Sequence, residues 1–115
     1  MADEDNQTWL LDAGDGVIQR KAVQGYSSLS PLERLIYCLW AADYGMRNAG
    51  DLATAVDLHP AFLSDGKSAA QELSLPRSAV AFSLPSEELE QRYFGLFDDV
   101  VNEIRSVQAR PVRER

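Results

Sequence analysis

The chain contains one thiol, Cys38, and one imidazole, His59. A nucleophilic pair made from them needs the cysteine exposed, near positive charge and within reach of the ring. Cys38 instead lies inside the apolar run Leu35-Ile36-Tyr37-Cys38-Leu39-Trp40, where a cysteine acts as a small hydrophobic residue. His59 precedes Pro60, and the residue before a proline is held out of the helical region, so it marks a turn. Two such residues are too few for a zinc centre. Asp12-Ala13-Gly14-Asp15-Gly16 lacks the later ligands and closing glutamate of a calcium loop. Phosphate-cradling glycine loops and the nucleophile elbow are absent as well. The expectation is a protein with no catalytic residue, no metal and no cofactor, and hence no enzyme.

Two charged constellations remain. Asp43 and Arg47 stand four apart, which makes them neighbours on a helix. With Asn48 and Asp51 they form a candidate polar pocket at the end of that helix, or else a tie from the helix to the following loop. If the pair is buried, losing one partner strands a charge. The second constellation is Glu87, Glu88, Glu90, Asp98, Asp99 and Glu103. Its plainer account is the solvated face of an amphipathic helix. Its functional account is a row of carboxylates that takes the place of nucleic-acid phosphates for a basic protein partner, with strong salt dependence.

The totals bear on both accounts, and composition alone favours solubility over a partner. There are 18 Asp and Glu against 11 Lys and Arg, a formal charge of −7. From Arg105 to the end the balance is +3, so the preceding 104 residues carry −10. Direct binding of nucleic acid needs a basic surface, and this is the opposite. An acidic body serves solubility or attracts a basic protein. No apolar run is long enough to span a bilayer. The start, MADEDNQT, has no basic or apolar region of a secretory signal. A single cysteine fits a reducing compartment, so the expected location is the cytoplasm.

At 115 residues, 45% apolar and 25% charged, the chain fits one globular domain. Its organising element is Ser30–Asn48. Ser30 and Glu33 have capping-box spacing, Pro31 suits the first helical position, and Gly50 supplies a stop. Leu32, Leu35, Ile36, Leu39, Ala42 and Met46 fill one face, and Tyr37, Cys38, Trp40, Ala41 and Tyr44 cover most of the rest. A helix apolar nearly all round is a buried one. Ser86–Val107 is the second long helix, with Ser86 as N-cap and Glu87 and Glu88 in its first turn. Leu89, Tyr93, Phe94, Leu96, Phe97, Val100, Val101, Ile104 and Val107 form its apolar side, which is expected to pack on the central helix.

The remaining elements are shorter. Val17, Ile18 and Ala22 predict an inward helical face ended by Gly25, with the glycines of Asp12–Gly16 interrupting it. Asp51 is expected to cap a helix to Leu58 that turns Leu52, Ala55 and Val56 inward. Asp65–Gly66 predicts a break before a helix over Lys67–Leu73. Pro76 and Pro85 leave room for a turn or two between them. Residues 1–8 and 108–115 are expected to be a flexible acidic lead-in and a loose basic tail around a helical domain of 9–107.

Leu29-Ser30-Pro31-x-Glu33-Arg34-Leu35-Ile36-Tyr37-x-Leu39-Trp40 resembles the opening helix motif of a family of small, mostly bacterial, helical proteins. That family is catalogued as a domain of unknown function and takes its name from a member described as a DNA mimic. Asn48 and Gly50 match its Asn-Asn-Gly-Gly-Phe turn, whereas Asp51-Leu52-Ala53-Thr54 replaces the Phe and the Gln-Tyr-Phe that follows. Phe82-x-x-Pro85 and Arg92 resemble its approach to the final helix. The resemblance implies an all-helical fold, no established catalytic activity and a DNA-mimic role in at least one relative. The combined expectation is a single all-α domain of about five helices that binds a basic protein, such as a DNA-binding protein it regulates. A small-molecule site or enzyme pocket at Asp43, Arg47, Asn48 and Asp51 is the alternative, and a structural subunit that pairs as a homodimer is the third reading.

Overall fold

The computed structural model describes residues 5–109. Six α-helices and one 3-10 turn account for nearly all of them, with no strand among the described residues. The helices are α1 (Asn6–Gln24), α2 (Pro31–Ala49), α3 (Ala53–Leu58), α4 (Phe62–Glu72), α5 (Pro76–Ser83) and α6 (Ser86–Ala109), and the 3-10 turn is Tyr26–Ser28. This is the single all-α domain expected, with six helices in place of about five.

The central helix forms for the reasons its sequence gives. The Ser30 hydroxyl accepts from the Glu33 amide at 3.2 Å, and the Glu33 carboxylate accepts from the Ser30 amide at 2.9 Å. Gly50 ends the helix at φ +78°, a left-handed conformation that favours glycine, and its amide bonds back to Gly45 and Met46. Leu35, Ile36, Tyr37, Cys38, Leu39, Ala41, Ala42, Asp43, Gly45 and Met46 are all buried, and α1, α3, α4 and α6 pack around them. Helix α5 is wedged between α4 and α6, so α6 meets α5 more extensively than it meets α2. Leu89, Tyr93, Phe97, Val100, Val101 and Ile104 supply the buried side of α6.

Several expectations change. Helix α1 runs unbroken through Gly14 and Gly16 and begins at Asn6, inside the stretch expected to be a lead-in. Helix α4 likewise runs through Asp65–Gly66. At Gly14 and Gly66 the reason is close approach. A Cβ on Gly14 would stand 2.6 Å from the Trp40 ring, and one on Gly66 would stand 2.6 Å from the Phe82 ring. These glycines let a helix meet an aromatic side chain, and they are not breaks. Of the predicted α1 face only Val17 is buried; Ile18 is half-buried and Ala22 is exposed. Val56 is exposed beside buried Leu52 and Ala55, because α3 is too short to offer two faces. Asp51 sits one residue before the N-cap, Leu52, and accepts from the Ala53 amide at 3.0 Å. Helix α6 opens at Ser86 itself and extends past Val107. The expected tail from 110 onward lies outside the described residues.

Helix α5 has no side-chain cap of its own. Glu103 of α6 provides one, accepting from the Arg77 amide at 2.9 Å, the Ser78 amide at 2.8 Å and the Ser78 hydroxyl at 2.9 Å. Ser78 is fully buried. The substitution Glu103→Ala strands those donors at a helix N-terminus, and a loss of about 2 kcal/mol is expected in urea unfolding. Glu87→Ala, on an exposed residue, serves as the control and should leave the midpoint within about 0.5 kcal/mol of the parent.

Candidate functional site

The burial of Asp43 is the most demanding feature of the molecule. The residue is 3% exposed, and an isolated carboxylate there would be too costly to keep ionised. It is satisfied from two helices. The Tyr93 hydroxyl of α6 donates to Oδ1 at 2.6 Å, and Arg47 Nε donates to Oδ1 at 2.9 Å and Oδ2 at 3.0 Å. Burial and the Asp43 carboxylate both hold the Tyr93 hydroxyl protonated, well above its ordinary range. The Arg47 guanidinium lies 5.1 Å from the Phe94 ring centroid and 4.8 Å from that of Phe97, within cation–π range.

Beside this pair lies a cleft of about 160 Å³ between α1 and the C-terminal half of α2. Asp43, Arg47 and Asn48 border it, with Gln7, Leu11, Trp40 and Tyr44 as the other walls. Three of the four residues expected to form a polar pocket thus come together. Asp51 does not join them; its side chain caps Ala53. The aromatic wall is part of a ladder along α2, in which Tyr37, Trp40 and Tyr44 stack with centroids 6.1 and 5.6 Å apart. Leu11 is 50% exposed and Tyr44 46%, so the cleft presents apolar surface to water.

The six acidic residues are not one free row. Glu90 accepts from the Leu52 amide at 2.9 Å, and Glu103 caps α5. Both turn inward to amides at the starts of α3 and α5, where the N-cap residues, Leu52 and Leu75, make no side-chain cap. Asp99 pairs with Arg77 at 3.0 Å, Glu88 pairs with Arg92 at 3.2 Å, and Asp98 accepts from Asn6 at 2.9 Å. Glu87, Glu88, Asp98 and Asp99 remain exposed. Phe94, expected inside, is 53% exposed and stands among them. It lies at the edge of the α6 apolar sector, where the Arg47 guanidinium covers its ring.

Cys38 is fully buried. Burial, reinforced by the Asp65 carboxylate, pushes its thiol up to about 12, which leaves no thiolate for chemistry at neutral pH. The His59 Nε2 is engaged by Asp65 Oδ2 at 2.7 Å, and the Tyr26 hydroxyl donates to the same oxygen at 2.9 Å. The three side chains tie the 3-10 turn, the α3–α4 corner and α4 together. No group of three or more His, Cys, Asp or Glu side chains among the described residues is placed to hold a metal ion. No described helix is long and apolar enough to cross a membrane.

The pairing of Asp43 with Arg47 follows from their spacing in the sequence, whereas the contributions of Tyr93, Leu11 and Gln7 and the exposure of Phe94 do not. For Tyr93 a signal existed, because a buried hydroxyl needs a partner and a buried carboxylate needs a donor. No known protein family, curated protein or solved structure matches this chain.

Two outcomes follow from these contacts. Tyr93→Phe should cost about 1–3 kcal/mol and Arg47→Ala roughly 3 kcal/mol or more, because each leaves Asp43 under-satisfied. The double variant should fall short of the sum of the two, as read by a double-mutant cycle in urea. The Cys38 thiol gives a pH test. Its folded value of about 12 stands above the ordinary 9.0, so its contribution to stability is complete below pH 9 and fades as pH rises toward 12. Tyr26, Tyr37 and Tyr93 are raised by burial in the same sense. Melts followed by circular dichroism should therefore show alkaline destabilisation above pH 9, and Ellman's reagent should label Cys38 at pH 8 only after denaturation.

Proposed function

We propose that the chain is a non-enzymatic acidic interaction protein of the cytoplasm that binds a basic protein partner. The observation that carries the reading is the position of Phe94. On a helix, Glu87, Gln91, Phe94 and Asp98 are spaced by three or four residues and share one outward stripe. All four are exposed. An exposed aromatic residue set between carboxylates offers an apolar anchor with an acidic rim. That is the complement of a Lys- or Arg-rich face carrying a hydrophobic residue. The formal charge of −7 favours encounter with such a partner at long range. A DNA-binding protein is the partner class we propose, with carboxylates standing in for phosphates. Because Glu90 and Glu103 are spent inside the fold, this form of the reading rests on Glu87, Glu88, Asp98 and Asp99 alone.

Pull-down from lysate at low and high salt, with parent, Phe94→Ala and Glu87→Gln/Asp98→Asn proteins, tests the proposal. The parent should retain a basic protein at low salt and release it at high salt, and both variants should retain much less. Displacement by duplex DNA would mark the partner as a DNA-binding protein. If the parent retains nothing at low salt, or if all three proteins retain the same set, the reading fails.

A second reading, a small-molecule site at the end of the central helix, is favoured by one observation. Asp43, Arg47 and Asn48 border a common cleft with an aromatic wall.

A further inference from the structure

We propose that the α1–α2 cleft binds a small aromatic monocarboxylate, with its carboxylate on the free edge of the Arg47 guanidinium. The inference rests on the small-molecule reading of the cleft and names the ligand class. It shares Phe94 with the acidic stripe on α6, as a support for the Arg47 plane, and uses none of the stripe's carboxylates.

A guanidinium offers five N–H groups in a fixed plane. Only Nε of Arg47 is used, on Asp43; the two Nη groups make no hydrogen bond among the described residues. The side chain is 29% exposed, so those groups are within reach of the cleft it borders. A second carboxylate placed end-on could accept two parallel N–H bonds, the arrangement for which arginine is best shaped. Asp43 fixes the plane, and Phe94 and Phe97 support its face. The donor edge is therefore oriented before any ligand arrives, which lowers the entropic cost of binding.

The walls specify the body of the ligand. Trp40 and Tyr44 form a stacked aromatic wall with Leu11 among the other lining residues. Laying a ring there removes exposed apolar surface from water. A volume of about 160 Å³ falls below the range of drug-sized pockets, roughly 300–1,000 Å³, so one ring with a short acid arm is the fitting size. Charge sets the upper limit. Asp43 already balances Arg47, the protein is acidic overall, and the cleft lies at the C-terminal end of α2, where the helix dipole opposes anions. A monoanion held by two charge-assisted bonds overcomes that opposition, whereas a phosphate dianion meets twice the repulsion.

The test is a titration of the intact chain with phenylacetate and with its neutral isostere phenylacetamide, followed by amide chemical shifts and Trp40 fluorescence. Phenylacetate should give saturable shifts centred on Leu11, Trp40 and Tyr44. Phenylacetamide should bind about tenfold more weakly or worse, the equivalent of one charge-assisted hydrogen bond. Arg47→Lys, which keeps a cation beside Asp43 but not the fork, should weaken phenylacetate by a similar factor, and Leu11→Ala should weaken both ligands alike. Equal affinity for acid and amide in the parent protein would overturn the carboxylate assignment and leave a small-molecule cleft standing. Absence of saturable shifts from either compound would overturn both. The acid–amide comparison needs no variant, so it decides the matter even if Arg47→Lys does not fold.

Discussion

Asp43 is a carboxylate that cannot face water, and the register of α6 on α2 follows from satisfying it. Its partners are 4 and 50 residues away along the chain, Arg47 on the same helix and Tyr93 on α6. A shift of α6 by one residue would turn the Tyr93 hydroxyl about 100° away from the carboxylate. Apolar packing alone tolerates such shifts better than a 2.6 Å hydrogen bond does. Arg47 then reaches back over Phe94 and Phe97, so α6 is gripped from the hydroxyl and from the ring faces. A hydrophobic pair of similar volume could match the net stability of this cluster. The distinctive contribution of the polar version is register.

The same helix resolves a second constraint. Helices α3 and α5 are six and eight residues long, too short to form on propensity. Neither N-cap residue, Leu52 or Leu75, supplies a side-chain cap, and Asp51 adds one bond, to the Ala53 amide of α3. Glu90 and Glu103 serve as caps from a distance, with Glu90 accepting from the amide at the start of α3 and Glu103 from two at the start of α5. Negative charge at a helix N-terminus is favourable through both the free amides and the dipole. Part of what looks like surface acidity in the sequence is therefore internal scaffolding. This is why the acidic face is smaller than its residue count suggests.

What was legible in the sequence was whatever depends on near neighbours. The capping box at Ser30 and Glu33, the Gly50 stop and the apolar sectors of α2 and α6 are local patterns, and the structure contains them. The misreadings share a cause. Gly14 and Gly66 look like helix breakers until Trp40 and Phe82 are placed against them. Glu90 and Glu103 look solvated until the starts of α3 and α5 arrive beneath them. Phe94 lies on the apolar side of a helical wheel, but among the described residues it is exposed, with the Arg47 guanidinium over its ring. Val23, part of an apolar pattern, is 82% exposed because α1 packs through a narrow stripe. Each depends on a residue remote in the chain, which periodicity does not carry.

The candidate sites inherit this division. Asp43, Arg47 and Asn48 were placed together by helical spacing alone, while the walls from Leu11 and Gln7 required knowing where α1 docks. Arg47 joins the parts. Its Nε holds the buried carboxylate, its face covers Phe94 of the acidic stripe, and the same side chain borders the cleft. A side chain with so many obligations has little rotamer freedom left to lose, and that is the condition under which a binding group adds affinity most efficiently. It also means that the two surfaces are not isolated from each other. An occupant that moved the guanidinium would move the cover over Phe94 with it, because both contacts are made by one planar group anchored in the core.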